Sequence, residues 1–390
     1  MKAESIDQSL HDHLAQWGLR RFISDEAYFK WQEQVLSPQH LSGLRDHAEK
    51  KRQGSPTDEK AFYDLTAHPH ILPVLYSQRY DYYLAIGPLV AAQIAEAQTI
   101  LDFGCGPGIL TTFYARRFPH AHVVGLDRSS ASIAAAQQKA KDFDLQNVRF
   151  ECVDVEAGPL TGTYDCLVAT HALVQAELDP GLPSQSWRTF ERARDQLQQS
   201  EFERRTGTGV RLDRLIAVMP PGGRMIVFEK TRQLARRVPL QRAFSARDLQ
   251  LSEPPALIRY SLVEEVSDDG PFYVLRKGQG SGLAWDEQPE PDDGLPFDRT
   301  ALRPIVPDGP LYDNHCPSAQ QVWERLIDRR VTRETTNQEP DGRELHVELG
   351  TAEGLAYLYC ANTFDQRQLA LIEPSRARIL DAYYQEILAG

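Results

Sequence analysis

A short apolar run, Thr99-Ile100-Leu101, feeds straight into Asp102-Phe103-Gly104-Cys105-Gly106-Pro107-Gly108 and then into a helical pattern beginning near Ile109-Leu110-Thr111. A strand that passes through glycines into a helix commits this part of the chain to a βα unit. Glycine has no Cβ, so such a loop can take positive φ and admit a ligand close to the backbone. The helix that follows aims its free N-terminal N–H groups at whatever sits there.

From Thr99 the pattern alternates between strand and helix, which predicts a parallel sheet covered by helices. The strands read as Thr99–Phe103, His122–Leu126, Val148–Val153, Tyr164–Ala169, Arg224–Glu229, Ile258–Val266 and Phe272–Arg276. Ser267-Asp268-Asp269-Gly270 reads as a turn joining the last two into an antiparallel hairpin. Residues 177–218 separate the fourth and fifth strands and are rich in Gln, Arg and Glu, which predicts an inserted, solvated helical piece.

The segments before this sheet read as helices: Ser5–Trp17, Asp25–Val35 and Gln39–Lys51. The polar stretch from Lys51 to Thr57 reads as a loop. An aromatic stretch with Tyr76, Tyr80, Tyr82 and Tyr83 then leads into a helix ending near Ala97. On this reading 1–75 is a helical N-terminal extension and 76–278 the α/β domain. Residues 279–310, dense in Pro, Gly and Asp, form a linker or an irregular wrap. Residues 311–390 form a small α+β domain. Its elements read as a helix Ser318–Arg330, strands Val331–Thr336, Glu344–Leu349, Leu355–Ala361 and Gln368–Ile372, turns at Pro340-Asp341-Gly342 and Glu353-Gly354, and a helix after Pro374.

Two glycine loops open nucleotide-binding α/β domains. The dinucleotide form is G-x-G-x-x-G; here Gly104 and Gly106 match it, but the third glycine is Gly108 and position 109 is isoleucine. An acidic residue followed by G-x-G-x-G resembles the first motif of the class I S-adenosylmethionine-dependent methyltransferases. The resemblance continues in order through Val123-Val124-Gly125-Leu126-Asp127, Arg149-Phe150-Glu151-Cys152-Val153-Asp154-Val155, the strand ending Ala169-Thr170-His171, and the turn Met219-Pro220-Pro221-Gly222-Gly223. It covers about residues 76–277. Asp127 alone suits an NAD ribose equally well, so the ensemble decides.

The resemblance implies a Rossmann-like, mostly parallel seven-stranded sheet, with S-adenosyl-L-methionine as cofactor. It implies cofactor contacts from Asp102, Gly104, Cys105, Gly106, Gly108, Asp127, Arg128, Asp154, Val155 and Thr170. In the family an acid placed like Asp127 accepts the ribose hydroxyls, one placed like Asp154 meets the adenine amino group, and the backbone beside it, at Val155, meets the ring. His171 is the candidate general base, or else shapes the pocket. The fourth strand ends neither in Pro-Cys nor in Asn/Asp-Pro-Pro-Tyr/Phe, which removes support for covalent cytosine methylation and lowers planar base or glutamine amino groups as acceptors.

A small-molecule acceptor is the first expectation. A protein or RNA recruited by the C-terminal domain, a non-catalytic scaffold and a dehydrogenase are the alternatives. A net charge of −12 argues against DNA as partner. No apolar run is long enough for a membrane span or a secretory core, so no membrane partner is expected. The five cysteines show neither CxxC pairing nor zinc spacing, which predicts reduced thiols, no metal and a cytoplasmic location. A homodimer or protein partner through the C-terminal domain is left open. The arginines 232, 236, 237, 242 and 247 read as a solvated helix face or, more sharply, as a site for an anionic acceptor.

Overall fold

The computed structural model describes residues 6–53, 55–174, 179–262, 265–278, 282–289, 291–339 and 342–389. Two compact units form. The first takes in Met1–Asp179, Glu203–Arg232 and Leu240–Trp285; the second takes in Pro180–Phe202, Gln233–Pro239 and Asp286–Gly390. No helix among the described residues is long and apolar enough to cross a membrane.

The first unit opens with α1 (Ile6–Gln16), α2 (Asp25–Val35), α3 (Pro38–Gln53), α4 (Pro56–Thr66), α5 (Leu72–Ser77) and α6 (Tyr80–Ile94). Ser24 and Ser55 cap α2 and α4 by accepting the N–H groups of Ala27 and Asp58, which the helices leave without partners. The expected loop from Lys51 is only a break between helices: α3 runs on to Gln53, and Pro56 opens α4 where its missing N–H costs nothing. Leu10, Leu14 and Trp17 share a core with Ile86, Val90 and Ile100, so the N-terminal helices build the α/β unit itself and are not an appendage.

The α/β part continues with β1 (Thr99–Phe103), α7 (Ile109–Arg117), β2 (His122–Asp127), α8 (Ser130–Asp142), β3 (Val148–Cys152) and β4 (Cys166–Thr170). After it come α9 (Gln196–Thr206), α10 (Thr208–Ala217), β5 (Arg224–Phe228), α11 (Leu234–Ser245), β6 (Leu249–Leu251), β7 (Ala256–Leu262) and β8 (Glu265–Lys277). The sheet order is β3-β2-β1-β4-β5-β8-β6, with β7 beside β8. Strands β1 to β5 run parallel, and β8 is antiparallel to β5, β6 and β7. Strand order turns back between β1 and β4, and at such a switch point the strand ends open a crevice. The glycine loop lies at the end of β1.

Three expectations for this region are corrected. The sheet has eight strands among the described residues, not seven, because β6 is too short to show alternation in sequence. Ser267–Gly270 is not a turn but part of β8, where Ile258 faces Gly270. Glycine serves close approach there: a Cβ at 270 would lie 1.9 Å from the Glu229 carbonyl oxygen. The stretch 177–218, read as a solvated insertion, ends in α10, whose Leu212 and Leu215 are fully buried against the sheet. Its start at Glu177 lies outside the described residues.

The second unit contains β9 (Tyr312–Asn314), α12 (Ser318–Arg325), β10 (Arg330–Gln338), β11 (Glu344–Ala352), β12 (Leu355–Asn362), β13 (Arg367–Ile372) and α13 (Arg378–Ala389). Its antiparallel sheet runs β10-β11-β12-β13-β9. Trp323, Tyr357, Tyr359 and Leu371 pack on one face, and Val347, Leu358, Leu380 and Tyr384 on the other. Helix α12 stops short of Arg330 because Leu326 turns extended and Asp328 takes a left-handed φ of 55°. Residues 291–310 of the Pro/Gly/Asp-rich segment belong to this unit: Leu295 O accepts the Tyr312 hydroxyl at 2.6 Å, and Asp292 accepts the Ser318 N–H at 2.6 Å. Buried Glu348 accepts the Trp323 indole N–H at 3.0 Å, and His346 stacks on Trp187 at 3.6 Å. Of the expected turn at Pro340-Asp341-Gly342, the first two residues lie outside the described residues.

Candidate active site

The loop after β1 takes φ of +72° at Gly104, +54° at Gly106 and +81° at Gly108. Space forbids a side chain at two of these positions. A Cβ at 104 would lie 2.4 Å from the Ala172 Cβ, and one at 108 would lie 2.9 Å from Ala136 and the Phe150 ring. The N–H groups of Gly104 and Cys105 both donate to Leu126 O, at 2.8 and 3.0 Å, fastening the loop to the end of β2.

Asp127, the last residue of β2, accepts the Gly106 N–H at 2.9 Å on one oxygen and the Ser129 N–H at 2.8 Å on the other. Burial pushes its carboxyl up, and those two bonds oppose the rise. Each oxygen keeps a further lone pair for a ligand hydroxyl. Asp102 is buried and accepts the Thr111 hydroxyl at 2.5 Å. Burial, with the Asp127 charge adding to it, pushes this carboxyl up to about 7.

These strand ends bound a cavity of about 430 Å³. The expected residues Asp102, Gly104, Cys105, Gly106, Asp127, Arg128, Asp154, Val155, Thr170 and His171 all line it. Gly108 does not; it is excluded from the lining because it packs under the loop against Ala136 and Phe150. Arg128 forms an ion pair with Glu59 of α4. Asp154 is exposed and accepts the Glu156 N–H at 3.0 Å, while Val155 is buried beside it.

Thr170 ends β4 and accepts the Tyr82 hydroxyl at 2.8 Å. His171 follows with a left-handed φ of 54°, donating its N–H to Phe228 O at 2.8 Å. Its Nε2 lies 2.9 Å from the Tyr260 hydroxyl, and the Tyr82 and Phe228 rings each stand 5.1 Å away. Burial, then the charges of Arg79 and Lys230, hold its pKa well below the usual value, so the imidazole is neutral near pH 7.

Several contributors escape sequence reasoning. Glu229, after β5, accepts the N–H groups of Ala172 and Leu173 at 2.8 and 2.6 Å and so fixes the segment beyond His171. Tyr63 of α4 and Arg79 also line the cavity, beside Tyr76, Tyr82 and Tyr83. Only the aromatic density signalled this wall. Tyr80, from the same cluster, points elsewhere and bonds His11 at 3.0 Å. None of the arginines 232, 236, 237, 242 and 247 lines the cavity or is exposed. Arg237 is 1% exposed, and Arg247 is held by Asp213 at 2.6 Å and Glu203 at 2.8 Å, so these two do not form the expected solvated face. None of the five cysteines forms a disulfide among the described residues.

The Rossmann-like order, the glycine loop and the acids ending successive strands define a nucleotide-type crevice. Residues 100–195 match a family model described as a methyltransferase domain. The matched stretch of the α/β unit is accordingly a methyltransferase domain of the class I type, with S-adenosylmethionine as its cofactor. Among curated relatives, (S)-tetrahydroprotoberberine N-methyltransferase of Eschscholzia californica is 35% identical over 82 residues, covering 21% of this chain and 23% of the relative. Trans-aconitate 2-methyltransferase of Deinococcus radiodurans is 40% identical over 88 residues, covering 23% and 32%. The matches thus span less than a third of these relatives' own length. Among solved structures, magnesium protoporphyrin IX methyltransferase from Synechocystis PCC 6803 with bound cofactor aligns with a TM-score of 0.34 at 16% identity, covering 52% of this chain and 81% of that one.

Proposed function

We propose that the protein transfers the methyl group of S-adenosylmethionine to a small-molecule acceptor by in-line displacement. The observation that carries this reading is the continuity of one cavity from Asp127 and Asp154, past the glycine loop, to Thr170 and His171. The cofactor-type groups and a candidate base share that space. Relatives named for trans-aconitate and for an alkaloid as acceptors support a small acceptor.

The residues present fit the cofactor. Asp127 keeps acceptor capacity for ribose hydroxyls, and Gly104 and Gly106 leave backbone bare where a side chain would project. When bound, the cofactor supplies a methyl group activated on a sulfonium. The chain's part is alignment and exclusion of water, which can lower a barrier by about 7–11 kcal/mol. Tyr82, Phe228 and Tyr260 hold the His171 ring in place. A neutral imidazole there is in the protonation state of a base, and His171 takes the proton of an acceptor that must lose one. The acceptor's lone pair forms the new bond to carbon while the carbon–sulfur bond breaks and its electrons remain on sulfur.

Methyl-labelled S-adenosylmethionine incubated with the chain and a panel of small carboxylic acids, phenols and amines tests this. Label is expected in a small product. Label found only in protein or RNA from an added extract would overturn the small-molecule reading.

A further inference from the structure

Arg79 stands immediately before α6, half-buried, with its side chain on the cavity. Among the described residues its guanidinium makes no hydrogen bond and no ion pair. The other arginines deep in this lining are committed: Arg128 to Glu59, Arg205 to both oxygens of Asp179 at 2.7 and 3.2 Å, and Arg211 to Glu156 and to Leu173 O at 2.7 Å. After burial, the groups that act most strongly on the Arg79 charge are the hydroxyls of Tyr63, Tyr83, Tyr76 and Tyr260. Burial pushes the Tyr76 and Tyr83 phenols up, so these neighbours stay neutral and supply no countercharge. A guanidinium is charged at any ordinary pH, and withdrawing it from water without an anion is unfavourable.

The place of this charge is informative. Tyr76, one of its neighbours, has its hydroxyl 3.8 Å from where a Cβ on Gly106 would sit. The Arg79 charge also acts on His171. Arg79 thus lines the same cavity as the glycine loop and the candidate base. The Asp127 charge also reaches Tyr76, so negative charge is already close by. That setting suits a planar monoanion, matched by the guanidinium fork, better than a dianionic phosphate.

We propose that Arg79 is the carboxylate anchor of this cavity, pairing with a carboxylate that a ligand carries in. The proposal rests on the methyltransferase reading of the cavity. Two sources share the chemistry: the amino-acid end of the cofactor and a carboxylic acid acceptor.

The experiment is isothermal titration of the full chain, as wild type, Arg79→Met and Arg79→Lys, with three probes. S-adenosylhomocysteine carries the carboxylate, 5′-methylthioadenosine lacks it, and succinate carries carboxylates alone. Weakening of S-adenosylhomocysteine by about tenfold or more in Arg79→Met, with methylthioadenosine unchanged and partial recovery in Arg79→Lys, supports the anchor and assigns it to the cofactor. Unchanged binding of both nucleosides, with saturable succinate binding lost in Arg79→Met, supports it and assigns it to the acceptor. Retention of every wild-type affinity by Arg79→Met overturns it, as does equal weakening of all probes, which marks a structural arginine. A wild-type chain that binds neither nucleoside contradicts the methyltransferase reading instead, and succinate titration of the unliganded chain still decides for or against Arg79.

Discussion

The two walls of the cavity are built by opposite means. On the sheet side the backbone does the shaping: glycines at positive φ, strand ends and peptide N–H groups set the contour, and Asp127 is locked by two of those N–H groups. On the helical side long side chains do it: Tyr63, Tyr76, Arg79, Tyr82 and Tyr83 reach in from α4 to α6. A backbone wall tolerates almost no added atom, whereas a side-chain wall can be retuned one residue at a time. On the proposed function the first wall holds the nucleoside part of the cofactor, and the second meets the ligands' outer groups, where acceptor choice can vary.

The sharpest way to break that contrast is Gly104→Ala. Its Cβ would meet the Ala172 Cβ at 2.4 Å at a φ of +72°, so strain and clash together are expected to weaken S-adenosylhomocysteine by about a thousandfold, or about 4 kcal/mol, in titration. Gly106→Ala is the control, because its nearest neighbour outside the loop stands 3.8 Å away and only the positive φ penalises it, by about 1–2 kcal/mol. Equal losses in the two variants would show that contour is not what matters.

Next in size is His171→Ala. Loss of a general base lowers kcat by about a hundredfold or more and flattens the acidic limb of the pH–rate profile. A fall in affinity alone, with kcat and the profile intact, would leave His171 a packing residue.

Asp102 gives a smaller, pH-dependent effect. Its carboxyl titrates at about 7 in the folded chain, against about 4 when unfolded. Below pH 4 both states hold the proton and the group is neutral to stability. Between pH 4 and 7 the unfolded state ionises first, so stability is lost as pH rises, and above 7 the loss is complete. Asp102→Asn removes this dependence, and its unfolding free energy is expected to overtake that of wild type by a few kcal/mol at pH 8 but not at pH 4. A gap that does not change with pH would contradict the burial argument.

The smallest expected effect lies on the side-chain wall. Tyr82→Phe removes one hydrogen bond to Thr170 and keeps the ring, so kcat/KM is expected to fall by about fivefold, near 1 kcal/mol, with cofactor affinity held. A large loss of cofactor affinity would erase the division between the walls.

This division also explains what the sequence could reveal. Asp102, Asp127, Asp154 and His171 were legible because neighbouring parallel strands bring their C-terminal ends together, so motif order alone implies convergence. Arg79, Tyr63 and Glu229 were not. Which face of α4 or of the turn before α6 looks inward depends on how those helices pack, and no period in the sequence encodes it. Gly270 was misread for a related reason: its neighbours Ser267-Asp268-Asp269 carry turn chemistry, while its absent side chain answers to Glu229, far away in sequence. The second unit draws on three separate stretches of chain, and two of them, Pro180–Phe202 and Gln233–Pro239, sit inside what reads as the α/β domain.

The central claim is that the backbone wall is shaped for S-adenosylmethionine and not for a nicotinamide dinucleotide. Parallel titrations of the wild-type chain with S-adenosylhomocysteine and with NAD test it most directly. The account predicts saturable one-to-one binding of S-adenosylhomocysteine and no binding heat with NAD; saturable NAD binding with no S-adenosylhomocysteine signal would contradict it.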